Sequence, residues 1–243
     1  MALSYSDYLK LDQLLQLQQP RSAPPEHDEM LFIVVHQVYE LWFKLLLHEV
    51  DRCSEELSAN DLFGAIVRFK RLRTVLKTLV EQLDVLETMT PLSFLAFRDR
   101  LESASGFQSA QFRMLEFALG QKRPEMLAHY AREGPLHAAL QRRLGEPSLV
   151  DHFKGFLARR GVGADVQEGL VRLYKSEPDV GILLELMTDF DEGLQEWRYR
   201  HVKMVERTIG NKRGTGGSSG VEYLKQTLFK PIFPDLWAIR HRL

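Results

Sequence analysis

Apolar residues recur every three or four positions along two long stretches near the start of the chain. The first runs from Asp28 to Leu57 and the second from Asp61 to Thr88, and neither contains a proline. This period is that of an amphipathic α-helix, in which such residues share one face. We therefore expect two long helices, packed antiparallel across the short turn at 58–60.

Helix signals continue through the rest of the chain. Thr90 before Pro91 is typical of a helix start, and this helix is expected to reach about Glu102. Further helices are expected at 107–119, 124–132, 135–144, 148–160, 178–209 and 221–228. We find no adjacent β-branched runs joined by a hairpin turn. The prediction is an all-α fold, a bundle of long antiparallel helices, in a single domain spanning residues 1–243.

Two glycine-bearing stretches interrupt these helices. Gly161, Gly163 and Gly169 predict a flexible joint before the helix at 178–209. Residues 210–220 contain five glycines, a composition that by itself suggests a linker. Hardly any chain follows that could form a second domain. A loop that wraps closely around a ligand fits better, because glycine lets the backbone approach a ligand and present N–H donors.

Composition narrows the possible functions. The 32 Lys and Arg residues and 33 Asp and Glu residues leave no positive excess for nucleic acid or an anionic membrane. The single cysteine, Cys53, excludes an internal disulfide and multi-cysteine metal sites, and it favours a reducing, cytoplasmic setting. The first residues lack the pattern of a signal peptide. Polar residues interrupt the most apolar stretch, 30–50, so no membrane-spanning helix is expected.

Three side chains could carry chemistry. His36 lies in the most apolar predicted helix, and His201 lies near the end of the predicted helix at 178–209. Each histidine is compatible with a structural or a functional role. A neutral imidazole facing an apolar cavity can hold haem iron from one side. Arg98 is compatible with a solvated charge or with a bidentate clamp for a carboxylate. Residues 103–109 form a polar break between two helices, which suits an anion such as a propionate.

Several motifs occur together in one order along the chain. They are YSDYLKLDQLL at 5–15, HDEMLFIVVHQVYELWFK at 27–44, LETMTP at 86–91, FR at 97–98, SASGFQSAQFR at 103–113, WRYRH at 197–201 and GTGGSSG at 214–220. With this combination the sequence resembles the tryptophan 2,3-dioxygenase family. The resemblance implies a haem enzyme that inserts both atoms of O₂ across the indole C2–C3 bond of L-tryptophan. The product would be N-formylkynurenine, in the first step of tryptophan catabolism by the kynurenine pathway.

The resemblance also implies roles for particular residues. His201 is expected as the axial ligand of ferrous haem b, in a pocket enclosed by the helical bundle, and His36 as the catalytic residue that accepts a hydrogen bond from the indole N–H. Arg98 is expected to bind the substrate carboxylate, and Thr215 to contact its carboxylate and ammonium groups. The remaining expected substrate-binding residues are Phe32, Ile33, Val34, Val35 and Phe94, and the remaining expected cofactor-binding residues are Ser105 and Gly106.

The chain departs from the family's pattern at two places. Phe94 stands where some bacterial members carry a tyrosine, which removes one hydroxyl that helps to hold the carboxylate. The connection from Gly161 to Gly169 looks shorter than the family's usual connection at that point.

Assembly and reaction outcome follow only from the resemblance. It implies a homotetramer in which the N-terminal segment, residues 1–20, brings Tyr5 and Tyr8 near a neighbouring subunit's site. Two other functions stay open. One is a related haem monooxygenase that forms an oxindole from a tryptophan derivative, and the other is a non-catalytic sensor that binds haem or an indole.

Overall fold

Every regular element that the structure describes is helical. The structure is a computed structural model, and it describes residues 2–210, 212, 214–215 and 220–243. Within these residues no strand occurs, which confirms the predicted all-α class. Two short helices, α1 (Tyr5–Leu9) and α2 (Leu11–Leu14), precede the long ones.

The two long helices predicted from the apolar period are present. They are α3 (His27–Ser58) and α4 (Leu62–Leu86), and the side chain of Asp61 caps α4 by accepting the backbone N–H of Gly64. Tyr39 Oη donates to the carbonyl of Leu79 at 2.7 Å, while Gln82 Nε2 donates to the carbonyl of Val35 at 3.0 Å. The later residue of α3, Tyr39, thus pairs with the earlier residue of α4, Leu79. The two helices α3 and α4 are therefore antiparallel, as predicted.

Shorter helices surround this pair. They are α5 (Pro91–Arg98), α6 (Ala110–Leu119), α7 (Gly134–Gly145), α8 (Leu149–Arg159) and α9 (Val166–Ser176). The prediction that one helix runs from Thr90 to Glu102 was too long, because α5 ends at Arg98 and continues as a 3₁₀ turn at Asp99–Leu101. Likewise α6 begins at Ala110, after a 3₁₀ turn at Gly106–Gln108, and Pro124–Tyr130 is a 3₁₀ helix.

The predicted flexible joint at Gly161–Gly169 was wrong. Val166–Ser176 forms α9, and Gly169 lies buried inside it. A Cβ at Gly169 would come within 2.5 Å of Val162 Cγ1. The glycine therefore serves close packing between α9 and the preceding turn rather than flexibility.

A third long helix completes the core. It is α10 (Pro178–Ile209), and it is followed by α11 (Val221–Lys225) and α12 (Pro234–Ala238). Arg73 pairs with Asp189 at 3.0 Å and Arg200 pairs with Asp84, so α10 runs parallel to α4. The expected antiparallel arrangement therefore holds for α3 and α4 but not for α4 and α10. The predicted helix at 221–228 ends earlier, at Lys225.

Helix α3 is long and apolar enough to cross a membrane by length and composition alone. In the structure it packs against α4, α6 and α8, and its side chains Phe43, Leu46 and Leu57 belong to the main hydrophobic cluster. A helix of a protein core passes the same test of length and composition.

Candidate active site

One cavity of about 260 Å³ lies between the long helices and the later loops. Its lining comes from α3, α4, α5, the segment at 104–107, α6, α10, the glycine-rich loop and α11. Eight of the eleven residues predicted for the site line it: Phe32, His36, Phe94, Arg98, Ser105, Gly106, His201 and Thr215. Residues that are far apart in the chain therefore meet at one place, as the prediction requires.

His36 borders this cavity as a neutral imidazole with a defined tautomer. Its Nδ1 lies 2.7 Å from the backbone carbonyl oxygen of Phe32, one helical turn earlier. A carbonyl oxygen only accepts, so Nδ1 carries the proton and Nε2 is left as an acceptor. Burial lowers the pKa of His36, against a smaller opposing effect of that hydrogen bond and of Glu40. The ring can therefore accept a hydrogen bond from an N–H group in the cavity.

His201 borders the cavity from α10 and is also neutral. Burial lowers the pKa of His201 to about 4, with a smaller contribution from the nearby His36. The ring stacks on Trp197, with ring centroids 5.4 Å apart and planes 14° apart. A neutral imidazole held in one orientation is the form that binds a metal ion.

Aromatic rings and one arginine form the end of the cavity near His36. Phe32 contacts Phe94 and Phe97, with ring centroids 5.8 Å and 5.5 Å apart. Phe94 is buried, at 8% exposure, and Arg98 ends the same helix one turn later. The Thr90 cap and Pro91 at the first turn fix where α5 begins, and so fix which residues it turns toward the cavity. A flat apolar group with a carboxylate would suit this end.

The segment after α5 contacts the described part of the glycine-rich loop. Thr215 Oγ1 donates to the carbonyl of Ala104 at 2.6 Å, and Ser105 Oγ accepts the backbone N–H of Phe107 at 3.3 Å. A Cβ at Gly106 would have no atom within 4 Å, so this glycine borders open space. Gly214 and Gly220 also line the cavity, while Asn211, Arg213 and residues 216–219 lie outside the described residues.

A group of charged residues at the cavity was missed by sequence reasoning. Glu116, 3% exposed, accepts hydrogen bonds from Arg113 and from Arg123, the latter at 2.9 Å to both carboxylate oxygens. Arg123 Nη1 also donates to Tyr223 Oη at 3.3 Å. Two guanidinium groups against one carboxylate leave a positive excess. The only sequence signal was the i,i+3 spacing of Arg113 and Glu116, which is common on helices.

Three predicted site residues do not line the cavity. Val35 is buried in the main hydrophobic cluster, Val34 is 40% exposed, and Ile33 is intermediate. Helical geometry explains this, because residues adjacent to His36 and Phe32 in sequence point to other faces of α3. Tyr5 and Tyr8 are also outside the lining, and they are 75% and 72% exposed.

The residues present fit a haem. No group of three or more His, Cys, Asp or Glu side chains in the described part of the chain could hold a metal ion. The single imidazole of His201 would suffice to hold haem iron, since the porphyrin would itself supply most of the iron's ligands. The lining is largely apolar, and Arg113 Nε is buried there without a hydrogen-bond partner among the described groups. Positive charge at one side of an apolar cavity suits a flat apolar group with carboxylates.

Comparisons with known proteins agree with the family resemblance of the sequence motifs. A family model described as tryptophan 2,3-dioxygenase matches residues 1–159 and 159–243. The chain is 57% identical over 256 residues to the tryptophan 2,3-dioxygenase of Herpetosiphon aurantiacus, covering 98% of both chains. It is 52% identical to that of Anaeromyxobacter sp. strain K, covering 100% of this chain and 97% of the relative. The relative from Kineococcus radiotolerans is 44% identical, with 98% and 90% covered.

Proposed function

The chain belongs to the tryptophan 2,3-dioxygenase family, and from this premise we propose how its residues serve that activity. The chain is an oxidoreductase that cleaves the indole ring of L-tryptophan with O₂, giving N-formylkynurenine. The observation that carries the assignment of residues is the meeting of two neutral imidazoles, His36 and His201, with Arg98 around one cavity. When bound, haem b supplies the activation of O₂, while the protein supplies ligation and orientation.

His201 would hold the haem iron. Burial lowers the pKa of His201 to about 4, so at any pH well above 4 its imidazole is neutral. The neutral imidazole is the form that binds iron. Stacking on Trp197 limits rotation of the ring. Ser105 and Gly106 are the proposed contacts for the cofactor's edge, where the open space beside Gly106 admits a group close to the backbone.

His36 is the proposed partner of the substrate's indole N–H. Its Nδ1 proton is engaged by the carbonyl of Phe32, so Nε2 is the acceptor for the indole hydrogen. Phe32 and Phe94 supply apolar walls for the ring, and their contact keeps both in place. A ring held by one hydrogen bond and two aromatic walls presents its C2–C3 bond in one orientation.

Arg98 and Thr215 are the proposed partners of the amino-acid end of the substrate. An arginine fork binds a carboxylate through two parallel hydrogen bonds, and such a pair is stronger in a cavity than at a surface. Thr215 Oγ1 also has lone pairs, so it can accept from the substrate's ammonium while it donates to Ala104. We propose no side-chain contact with the substrate for Ile33, Val34 and Val35. Their role is limited to the helical backbone that spaces Phe32 from His36.

The N-terminal segment is the proposed contact with a neighbouring subunit. Its exposed apolar side chains are Leu3, Tyr5, Tyr8, Leu9, Leu15 and Leu17. A terminal segment with this many exposed apolar groups would be stabilised by burial against another chain. We propose the family's homotetramer in the cytoplasm, with Tyr5 and Tyr8 beside a neighbour's cavity.

The assignment of His201 is tested by titrating the haem-free protein with haem and following the Soret band. We expect saturable binding in the wild type, loss or weakening of binding in His201→Ala, and no change in His137→Ala, which alters a histidine outside the cavity lining. L-tryptophan should then perturb the spectrum of the wild type and, more weakly, that of His36→Ala. Equal haem spectra for wild type and His201→Ala would contradict the proposed ligation.

A further inference from the structure

Arg198 joins two walls of the cavity. It lies on α10, three residues before His201, and it is 4% exposed. Its Nη1 donates to the backbone carbonyls of Thr227 at 3.4 Å and Lys230 at 3.2 Å. Its Nη2 donates to Gln121 Oε1. One buried guanidinium thus links the helix that carries His201 to the segment after α11.

The segment that Arg198 holds forms part of the cavity. Tyr223, Leu224 and Thr227 line it, and they lie on α11 and the turn that follows. The carbonyls near a helix end lack partners within the helix and need donors from elsewhere. A guanidinium presents several donors in a rigid fork, so it can bind two carbonyls and an amide at once, whereas an ammonium is a single flexible point.

A second buried charge on α10 binds the continuation of the same segment. Asp191, seven residues before Arg198, lies about two turns away, on nearly the same face of the helix. It accepts the backbone N–H groups of Ile232 at 2.8 Å and Phe233 at 3.0 Å, and Trp237 Nε1 at 3.0 Å. Arg198 therefore binds carbonyls and Asp191 binds N–H groups. Both fix the chain after α11 to α10.

We propose that Arg198 is a positioning residue for haem retention: it holds the 221–230 wall against the helix that carries His201, so that the cofactor stays enclosed between them. The proposal rests on the proposed haem site. Arg198 acts through the backbone of Thr227 and Lys230. The nearby Glu116, 3.8 Å from Arg198 Nη2, offsets the cost of its buried charge.

The test is the rate at which the holoprotein releases haem to an excess of apomyoglobin, followed by absorbance. Arg198→Met should release haem at least about tenfold faster than wild type, since one hydrogen bond of a charged group is worth roughly that factor and the variant loses the bonds to Thr227, Lys230 and Gln121. Arg198→Lys should restore part of the retention. Gln121→Ala removes a partly exposed side chain that accepts from Arg198 and donates to the Lys230 carbonyl at 3.4 Å, and it should give about a threefold effect.

Two control variants separate positioning from general stability. Val180→Ala opens a gap at the other end of α10, where Val180 is buried and outside the cavity lining. Arg200→Met removes a neighbouring arginine that pairs with Asp84 at the surface. Neither should change haem release, although Val180→Ala should lower the free energy of unfolding.

The outcomes are distinct. Faster release in Arg198→Met and Gln121→Ala, with both controls at the wild-type rate, supports the proposal. It is overturned by wild-type release in Arg198→Met, by wild-type release in Gln121→Ala if Arg198→Met does not fold, or by equal acceleration in Val180→Ala. Failure of the wild type to bind haem would contradict the proposed function itself, and the positioning role with it.

Discussion

Replacing Asp191 should remove a large part of the free energy of unfolding, because this carboxylate is completely buried and serves three donors. Ile232 N, Phe233 N and Trp237 Nε1 all donate to it at 2.8–3.0 Å. In Asp191→Ala the two backbone donors lose their acceptor inside the core, and Trp237 Nε1 loses its acceptor in a partly buried position. In Asp191→Asn one carbonyl oxygen remains, but the amide NH₂ group faces another donor.

The expected loss in the free energy of unfolding follows from these three hydrogen bonds. Hydrogen bonds to a charged group contribute about 1.5–3 kcal/mol each, and a buried donor left without an acceptor costs about 1–3 kcal/mol. The three terms are not additive, because the segment can shift and water can enter. We expect Asp191→Ala to lower the free energy of unfolding by about 4 kcal/mol and Asp191→Asn by about half of that. Against a typical total of about 5–15 kcal/mol this is a large loss.

Urea unfolding of the haem-free protein, followed by circular dichroism, measures this effect. Asp189→Ala is the matched control on the same helix, since Asp189 is 39% exposed and pairs with Arg73 at 3.0 Å. A pair this exposed is expected to contribute under about 1 kcal/mol. If Asp191→Ala were no more destabilising than Asp189→Ala, the view that Asp191 fastens the C-terminal segment to α10 would be wrong.

Further predictions concern the cavity. Arg98→Lys should raise the KM for L-tryptophan about tenfold, with a smaller change in kcat, because a lysine cannot form the two-pronged carboxylate contact; an unchanged KM in steady-state kinetics would contradict this. Phe94→Tyr should lower the KM about fivefold if its hydroxyl reaches the carboxylate, the value of one hydrogen bond near 1 kcal/mol; a raised KM would show that the hydroxyl does not reach it. The unfolding free energy of the haem-free protein should fall by about 3 kcal/mol as the pH drops from 6.5 to 4, because burial lowers the pKa of His201 to about 4 and the unfolded state takes up the proton first. His201→Phe should reduce that pH dependence and leave the part that the lowered pKa of His36 contributes, whereas an undiminished dependence in this variant would rule out His201 as its main source.

The long helices could be predicted because their period is sustained over many turns. Thr90 with Pro91 also marked the start of α5 correctly, since capping is a local interaction. Composition gave the wrong prediction for Gly161, Gly163 and Gly169, which suggested a flexible joint. Gly169 instead lies within α9, where a larger residue would collide with the side chain of Val162. α12, at Pro234–Ala238, is too short to carry a period, and it was not predicted.

The candidate site could be predicted only through the combination of motifs. No spacing rule pairs His36 with His201 or places Arg98 near either, since their meeting depends on how α3, α5 and α10 pack. The resemblance brought these residues together, and the structure places all three around the cavity. Apart from the common i,i+3 spacing of Arg113 and Glu116, the roles of Glu116 and Arg198 had no local signal, because their other partners lie on other elements or are backbone groups.

The most direct test of the account is turnover of L-tryptophan by the haem-loaded, reduced protein under ¹⁸O₂, with mass spectrometry of the product. The account predicts N-formylkynurenine carrying two ¹⁸O atoms from one O₂ molecule, and loss of that product in His201→Ala. A product with a single labelled oxygen would favour a monooxygenase that forms an oxindole. Binding of tryptophan without consumption of O₂ would contradict catalysis altogether and would favour a sensor.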